Sequence, residues 1–218
     1  MRKAIAVTMF VLILAAAGTT LAGELKPAAY VGGGLNVPMA PETFTDFWKM
    51  GFGGTARFGL EIAPPIELGA SFSYNNFPFD GDKLLAYAER ISGEDLPADA
   101  AVDGASMTAL EFLADVKYVF GAGEVANPFA PYMMALLGMT SVSFEDITVT
   151  AADSSATLDL SEVGETDFTI GFGAGFQYMF SPTVGFWLDG KYMVILTEGE
   201  STSHLPIRAG IKFLFGAE

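Results

Sequence analysis

Asp167-Phe168-Thr169-Ile170-Gly171-Phe172-Gly173-Ala174-Gly175-Phe176-Gln177-Tyr178-Met179-Phe180 alternates two kinds of side chain. Phe168, Ile170, Phe172, Ala174, Phe176, Tyr178 and Phe180 share one parity; Thr169, Gly171, Gly173, Gly175 and Gln177 share the other. A period of two belongs to a β-strand, whose successive residues face opposite sides of a sheet. Here one face is bulky and aromatic and the other is nearly bare. Eight strands closed into a barrel leave an interior only just wide enough for side chains to fill. The glycine face suits such an interior and the phenylalanine face does not. The stretch therefore predicts a barrel strand with its apolar face turned outward, into lipid.

Seven other segments carry the same period on either side of it: 28–37, 52–63, 66–76, 107–120, 129–144, 184–197 and 205–215. Their lengths match or exceed the roughly 9–11 residues of a membrane-crossing strand. Segment 66–76 sets Ile66, Leu68, Ala70, Phe72 and Tyr74 against Glu67, Gly69, Ser71, Ser73 and Asn75. Segments 107–120 and 205–215 divide likewise, with Glu111, Asp115, Lys117, Arg208, Gly210 and Lys212 on the inner parity. Segments 28–37 and 129–144 leave the facing open, because Tyr132, Met134 and Leu136 compete with Met133, Ala135 and Leu137.

The connections alternate in length. Residues 64–65 and 181–183 are short turns and 121–128 is a turn of eight residues at the same end; 38–51, 77–106 and 145–166 are long loops, joined at the other end by the seven-residue 198–204. Short turns at one end and long loops at the other is the asymmetry of outer-membrane barrels, and it puts both termini in the periplasm. The expected fold is an all-β, eight-stranded, antiparallel up-and-down transmembrane barrel, with no second domain. The second long loop predicts a helix over 82–91, stopped by Gly93. Alternation over 147–160 around Asp153-Ser154-Ser155 predicts a hairpin that carries the fifth and sixth strands beyond the membrane. Phe120, Phe129, Phe180, Phe186 and Phe215 gather at the short-turn ends, and Phe52, Tyr74, Phe144, Phe168 and Tyr192 toward the long-loop ends. They read as two interfacial aromatic girdles, against the plainer alternative of aromatic residues in an ordinary β core.

Composition agrees. Hydrophobic residues make up 51% of the 218, yet no run reaches the roughly 18–20 that a spanning helix needs. Residues 1–22 have the form of a secretory signal: Arg2 and Lys3, an apolar run over 4–17, and Thr20-Leu21-Ala22 for cleavage before Gly23. A membrane anchor would need a longer run. Cleavage there removes two of eleven basic residues and none of the 26 acidic ones, leaving a net charge of −17. Such a surface disfavours nucleic acid. With no cysteine there is neither a disulfide framework nor a thiolate metal site.

The inner parity holds ten charges: Arg57, Lys117, Lys191, Arg208 and Lys212 against Glu61, Glu67, Glu111, Asp115 and Asp189. Buried charges persist only when paired, so a balanced set across a narrow barrel predicts a filled lumen rather than a wide channel. A carboxylate cluster also invites acid–base or metal chemistry. Each carboxylate has basic neighbours, however, and no histidine is expected among them, so no catalytic, cofactor or metal residue is assigned. The long loops hold 17 acidic residues against Lys49, Lys83 and Arg90. A solvated surface explains them; divalent-cation binding is the sharper alternative, but Asp95, Asp99 and Asp103 do not match a calcium loop. His204, beside Ser201 and Ser203 with Glu200 or Asp189 as orienter, could be assembled into a Ser–His–acid set. It reads more simply as a solvated loop residue.

The final strand carries the most specific pattern. In Arg208-Ala209-Gly210-Ile211-Lys212-Phe213-Leu214-Phe215 a polar residue is followed by glycine two places on, and then by aromatic residues at Phe213 and Phe215. With these features the chain resembles the small outer-membrane β-barrel superfamily: the OmpA transmembrane domain, OmpX and the opacity-type porin-like proteins. In that family the C-terminal signal is read by the barrel-assembly machinery. The resemblance thus implies assembly through Arg208, Gly210, Phe213 and Phe215, and outer-membrane lipids of a Gram-negative envelope as surroundings. The tail Gly216-Ala217-Glu218 departs from the family, in which the aromatic residue is often last. Some family members deacylate lipid A with a His-x-Ser-Asn pattern, which His204-Leu205-Pro206-Ile207 does not match. No stretch resembles the OmpA peptidoglycan-binding domain. The expected role is a structural or surface-interaction scaffold, with a narrow solute channel as the alternative and a rim-active lipid enzyme a distant third.

Overall fold

A computed structural model describes residues 25–93, 96–97, 99–121, 128–151, 154–160, 163–197 and 199–216. The segment read as a secretion signal, residues 1–22, lies outside them. In chain order the elements are β1 (Lys26–Ala40), α1 (Glu42–Phe47), β2 (Gly51–Ala63), β3 (Ile66–Phe77), α2 (Gly81–Ser92), β4 (Ala101–Gly104) and β5 (Met107–Val119). Then come β6 (Phe129–Phe144), β7 (Ile147–Ala151), β8 (Ser154–Leu158), β9 (Glu165–Met179), β10 (Val184–Leu196) and β11 (Thr202–Leu214).

Eight strands close in the order β1-β2-β3-β5-β6-β9-β10-β11, every neighbouring pair antiparallel, and β11 returns to β1 from Ala28↔Leu214 to Ala40↔Ser203. Closure leaves no unpaired barrel edge, as a hydrocarbon environment demands. Val31, Phe52, Phe58, Phe112, Met133, Leu137, Phe172 and Ile207 stand exposed around the outside. A water-soluble protein rarely carries so large a continuous apolar surface; in lipid it is the solvated face.

The glycine face of β9 points inward. Its two neighbours lean across it: Tyr132, Met134 and Leu136 of β6 lie opposite Gly175, Gly173 and Gly171, as do Asp189, Lys191 and Met193 of β10. A Cβ at Gly173 would stand 2.8 Å from Lys191 Cγ, and one at Gly175 would stand 2.7 Å from Asp189 Cβ. The bare strip is what lets two flanking rows of long side chains share a narrow lumen. It also resolves β6, whose larger residues Tyr132, Met134 and Leu136 turn inward while Met133, Ala135 and Leu137 face lipid. In β1, Ala28, Tyr30, Gly32, Gly34 and Asn36 face in, and Val31 and Leu35 face out.

Four expectations need correction. Phe144 shares the inner parity of β6, so it packs on Trp48 inside the barrel mouth (ring centroids 6.0 Å apart) instead of joining a girdle. Residues 147–158 form a hairpin, but β7 and β8 do not extend the barrel strands: with β4 they make a separate sheet ordered β4-β7-β8. A second helix, α1, occupies the first long loop beside the expected α2, which ends at Gly93 in the left-handed conformation. Lastly, β11 begins at Thr202, so His204 is a strand residue, not a loop residue.

Candidate functional site

The lumen is filled in layers. Nearest the short turns, Tyr30, Arg57, Glu67, Asp115, Lys117, Gln177 and Lys212 converge from six strands. Arg57 Nε donates to both oxygens of Asp115 at 2.9 and 3.1 Å, and its Nη1 bonds Glu67 Oε1. Tyr30 Oη donates to Glu67 Oε2 at 2.7 Å and accepts from Lys117 Nζ at 3.0 Å. Lys117 and Lys212 both donate to Gln177 Oε1, at 3.2 and 3.1 Å, and each ammonium lies 3.8 Å from Glu67 Oε2. Lys117 also sits over the Tyr132 ring at 4.1 Å. Glycine again supplies the room: a Cβ at Gly59 would stand 2.8 Å from Arg57 Nη1, and one at Gly69 would stand 2.6 Å from Arg57 Cζ.

The middle layer is mixed. Tyr132 Oη donates to Asp189 Oδ2 at 3.1 Å, and Lys191 Nζ is 3.4 Å from Asp189 Oδ1. An apolar cluster of Leu113, Tyr132, Met134, Leu136 and Met193 fills the wall between β5 and β10. Above it, Arg208 donates to the Leu35 carbonyl at 2.9 Å and to the side-chain oxygens of Asn36 and Asn75. Its hydrogen-bond partners are thus neutral oxygens rather than carboxylates.

His204 belongs to this upper layer. It is 1% exposed, its Nε2 stands 3.1 Å from Glu111 Oε1, and its ring meets Phe77 edge-on. Neither of those two polar atoms has a hydrogen bond to another group among the described residues. The expectation of a solvated histidine away from the carboxylates is overturned. The inner parity of Lys212, Gly210 and Arg208, carried back through Pro206, reaches His204, so the signal was present in the sequence. The strand simply starts earlier than its apolar residues suggest.

A cap closes the long-loop mouth. α1 brings Phe44 into contact with Phe77 (5.1 Å between centroids) and Trp48 (5.9 Å). Trp48 Nε1 donates to the Ala105 carbonyl at 3.2 Å, and Lys49 pairs with Asp80 at 3.3 Å.

Of the ten charges read as facing inward, Arg57, Glu67, Glu111, Asp115, Lys117, Asp189, Lys191, Arg208 and Lys212 are buried. Glu61 is half-buried at the short-turn mouth, where it lines an open vestibule of about 210 Å³ with Glu67, Gln177 and Lys212. Beyond that vestibule the space among Tyr30, Arg57, Lys117, Tyr132 and Trp187 shrinks to about 10 Å³, room for about one water molecule. Among the uncharged members, the sequence puts Asn75 and Gln177 on the inner parity without naming their partners and leaves Tyr132 open, while it does not single out Tyr30 and Asn36. Among the described residues no group of three or more His, Cys, Asp or Glu side chains is arranged to hold a metal ion.

No curated protein matches the chain at a significant level. Solved structures do. A major outer membrane protein of Thermus thermophilus is similar over 88% of this chain and 100% of its own, at 13% identity and a TM-score of 0.50. Ail, the attachment invasion locus protein of Yersinia pestis, covers 88% and 100% at 14% identity and 0.48, and the Neisserial surface protein A covers 87% and 94% at 14% and 0.47. At such identities only the fold is shared. The outer membrane protein beta-barrel domain model matches residues 8–213, almost the whole chain, so this chain belongs to that family of bacterial outer-membrane barrels.

Proposed function

We propose that this barrel is a scaffold with a plugged lumen, which holds its long loops at the cell surface and passes no solute stream. One observation carries the proposal: beyond the vestibule bonded side chains cross the lumen, and the space left among Tyr30, Arg57, Lys117, Tyr132 and Trp187 is about 10 Å³. The lower layer alone would obstruct a channel, because its side chains meet from six strands, with Lys117 of β5 and Lys212 of β11 both bonded to Gln177 of β9 beside the Arg57, Glu67 and Asp115 cluster. The same packing speaks against the alternative of a narrow channel. The full-length protein in planar bilayers is expected to give no stable nanosiemens openings and no liposome swelling with small sugars; either would sink the scaffold reading.

The site does not favour an enzyme. His204 is buried beneath the cap, and Ser203, on the opposite face of β11, accepts a hydrogen bond from Tyr192 Oη at 3.1 Å. Replacing His204 by alanine should leave lipid A acylation in the membrane unchanged. Residues 1–22 are proposed as the secretion signal, and Arg208, Gly210, Phe213 and Phe215 as the signal that delivers the last strand to the assembly machinery. The outward aromatic pair Phe213 and Phe215 and the inward Arg208 support the second reading. Phe213→Ala combined with Phe215→Ala should lower the fraction of heat-modifiable, folded protein in cells several-fold while purified protein still folds into vesicles. Failure of both together would point to a stability effect instead.

A further inference from the structure

The small sheet β4-β7-β8 beyond the barrel has two unlike edges. The β4 edge is covered by the start of α2: a Cβ at Gly81 would stand 2.5 Å from the Val102 carbonyl oxygen. The β8 edge has no neighbouring strand among the described residues. Proteins ordinarily guard such an edge with charge, proline, a bulge or a covering segment, because unpaired backbone groups are a template for another chain. Ser154-Ser155-Ala156-Thr157-Leu158 contains neither charge nor proline. Its register with β7 runs unbroken from Ile147↔Leu158 to Ala151↔Ser154, and Leu158 is 60% exposed.

The two faces of this sheet differ in chemistry. Pairing puts Ala156 beside Val149 and Val102, an apolar row, and Thr157 beside Thr148 and Asp103, a hydroxyl and acidic row. The surrounding chain is acidic, with Asp146, Asp153, Asp159 and Glu162 close in sequence and 17 acidic against three basic residues over the long loops. A second copy of this chain would bring like charge to like charge at the edge, which electrostatics opposes.

We propose that the free edge of β8 is a strand-addition site for an extended, cationic segment of a partner protein, with apolar and basic side chains alternating along it. Main-chain hydrogen bonds supply the affinity in such an arrangement, and alternate side chains supply the choice of partner. The apolar residues of the incoming strand continue the Val102-Val149-Ala156 row, and its basic residues continue the Asp103-Thr148-Thr157 row. The inference rests on the scaffold reading for the placement of the loops and deepens it by naming the chemistry of the partner.

The test uses the full-length protein in phosphatidylcholine vesicles and an eight-residue peptide of alternating lysine and valine. Two further peptides carry N-methyl groups on the backbone nitrogens of the valines or of the lysines, and a fourth replaces lysine by glutamate. Strand addition exposes only one parity of N–H to β8. N-methylation of one parity should therefore weaken binding at least tenfold and that of the other should not, while the glutamate peptide should not bind. Thr157→Lys should weaken binding without altering heat-modifiable migration, and Ala156→Pro should abolish it. Equal binding of both N-methylated peptides, binding of the glutamate peptide, no binding at millimolar concentration, or cross-linking of β8 to a second copy would each overturn the proposal. Bilayer conductance is read separately, so a pore would defeat the scaffold reading without bearing on the peptide result.

Discussion

Phe172 and Tyr87 are both exposed aromatic side chains, at 66% and 43%, but they meet different solvents. Phe172 stands outward at the middle of β9 and Tyr87 on α2, outside the barrel. Phe172→Arg should destabilise the vesicle-inserted protein by about 2–4 kcal/mol, the cost of a guanidinium near the bilayer midplane. Tyr87→Arg should cost less, about 1 kcal/mol, because it loses only the edge contact with Phe47 and the stacking under Arg90 in a water-facing loop. Urea unfolding in vesicles measures both, and equal effects would contradict the facing of β9. Inside the barrel, Arg57 holds Glu67 and Asp115 together. Arg57→Leu removes one partner of a buried set and should cost about 3–5 kcal/mol in the same assay. Replacing the charge by lysine should recover only part of that, since a point charge does not reproduce the two-pronged contact with Asp115.

At the scale of the element, the sequence was most readable where one strand face is unlike the other. β9 declares itself because mostly aromatic apolar residues alternate with glycine and small or polar ones, and β3, β5 and β11 because charge alternates with apolar bulk. β6 did not, because both of its faces are apolar; its facing is decided by the glycines of β9 next to it, a fact of pairing that no single strand contains. β4 was invisible for a different reason: four residues, Ala101–Gly104, are too few to establish a period, and they form a strand only because the β7-β8 hairpin lies beside them. α1 has six residues, under two turns, and is held by Phe44 against Phe77, a tertiary contact rather than a helical propensity. The candidate site followed the same rule. Its charges were legible as inward-facing residues, while their hydrogen-bonding partners and the Glu111–His204 contact depend on which residues meet across the lumen. The role of the β9 strip can be checked directly. Gly175→Val forces a branched side chain onto Asp189 and should cost about 1–3 kcal/mol by overpacking, whereas Ala174→Val, facing lipid one residue away, should be nearly neutral by urea unfolding.

At the scale of the whole molecule, the closures at the two ends are independent. The cap is made by α1 and the ends of β3 and β6, and the lower layer by residues of β1, β2, β3, β5, β9 and β11. Replacing Phe44 and Trp48 together by alanine should loosen the cap, seen as faster hydrogen exchange in α1, yet leave bilayer conductance unchanged because the lower layer, drawn from six strands and tied to Gln177 through Lys117 and Lys212, is untouched. Conductance appearing in that double variant would show that the cap alone seals the barrel.

The seam between β1 and β11 has a consequence for the order of events in biogenesis. Tyr30 lies on the first barrel strand and Lys212 on the last, and both contact Glu67. Tyr30 can reach Glu67 through the β1-β2-β3 meander, but until the first and last strands meet Glu67 lacks Lys212 and the lower layer has no complete hydrogen-bonding pattern. A half-built barrel in hydrocarbon is therefore poorly placed to persist, and formation of the seam is rewarded all at once as wall and interior are completed in one step. Insertion should be a late, cooperative commitment: the protein is either an open sheet held away from the bilayer core or a finished cylinder, with little lifetime between.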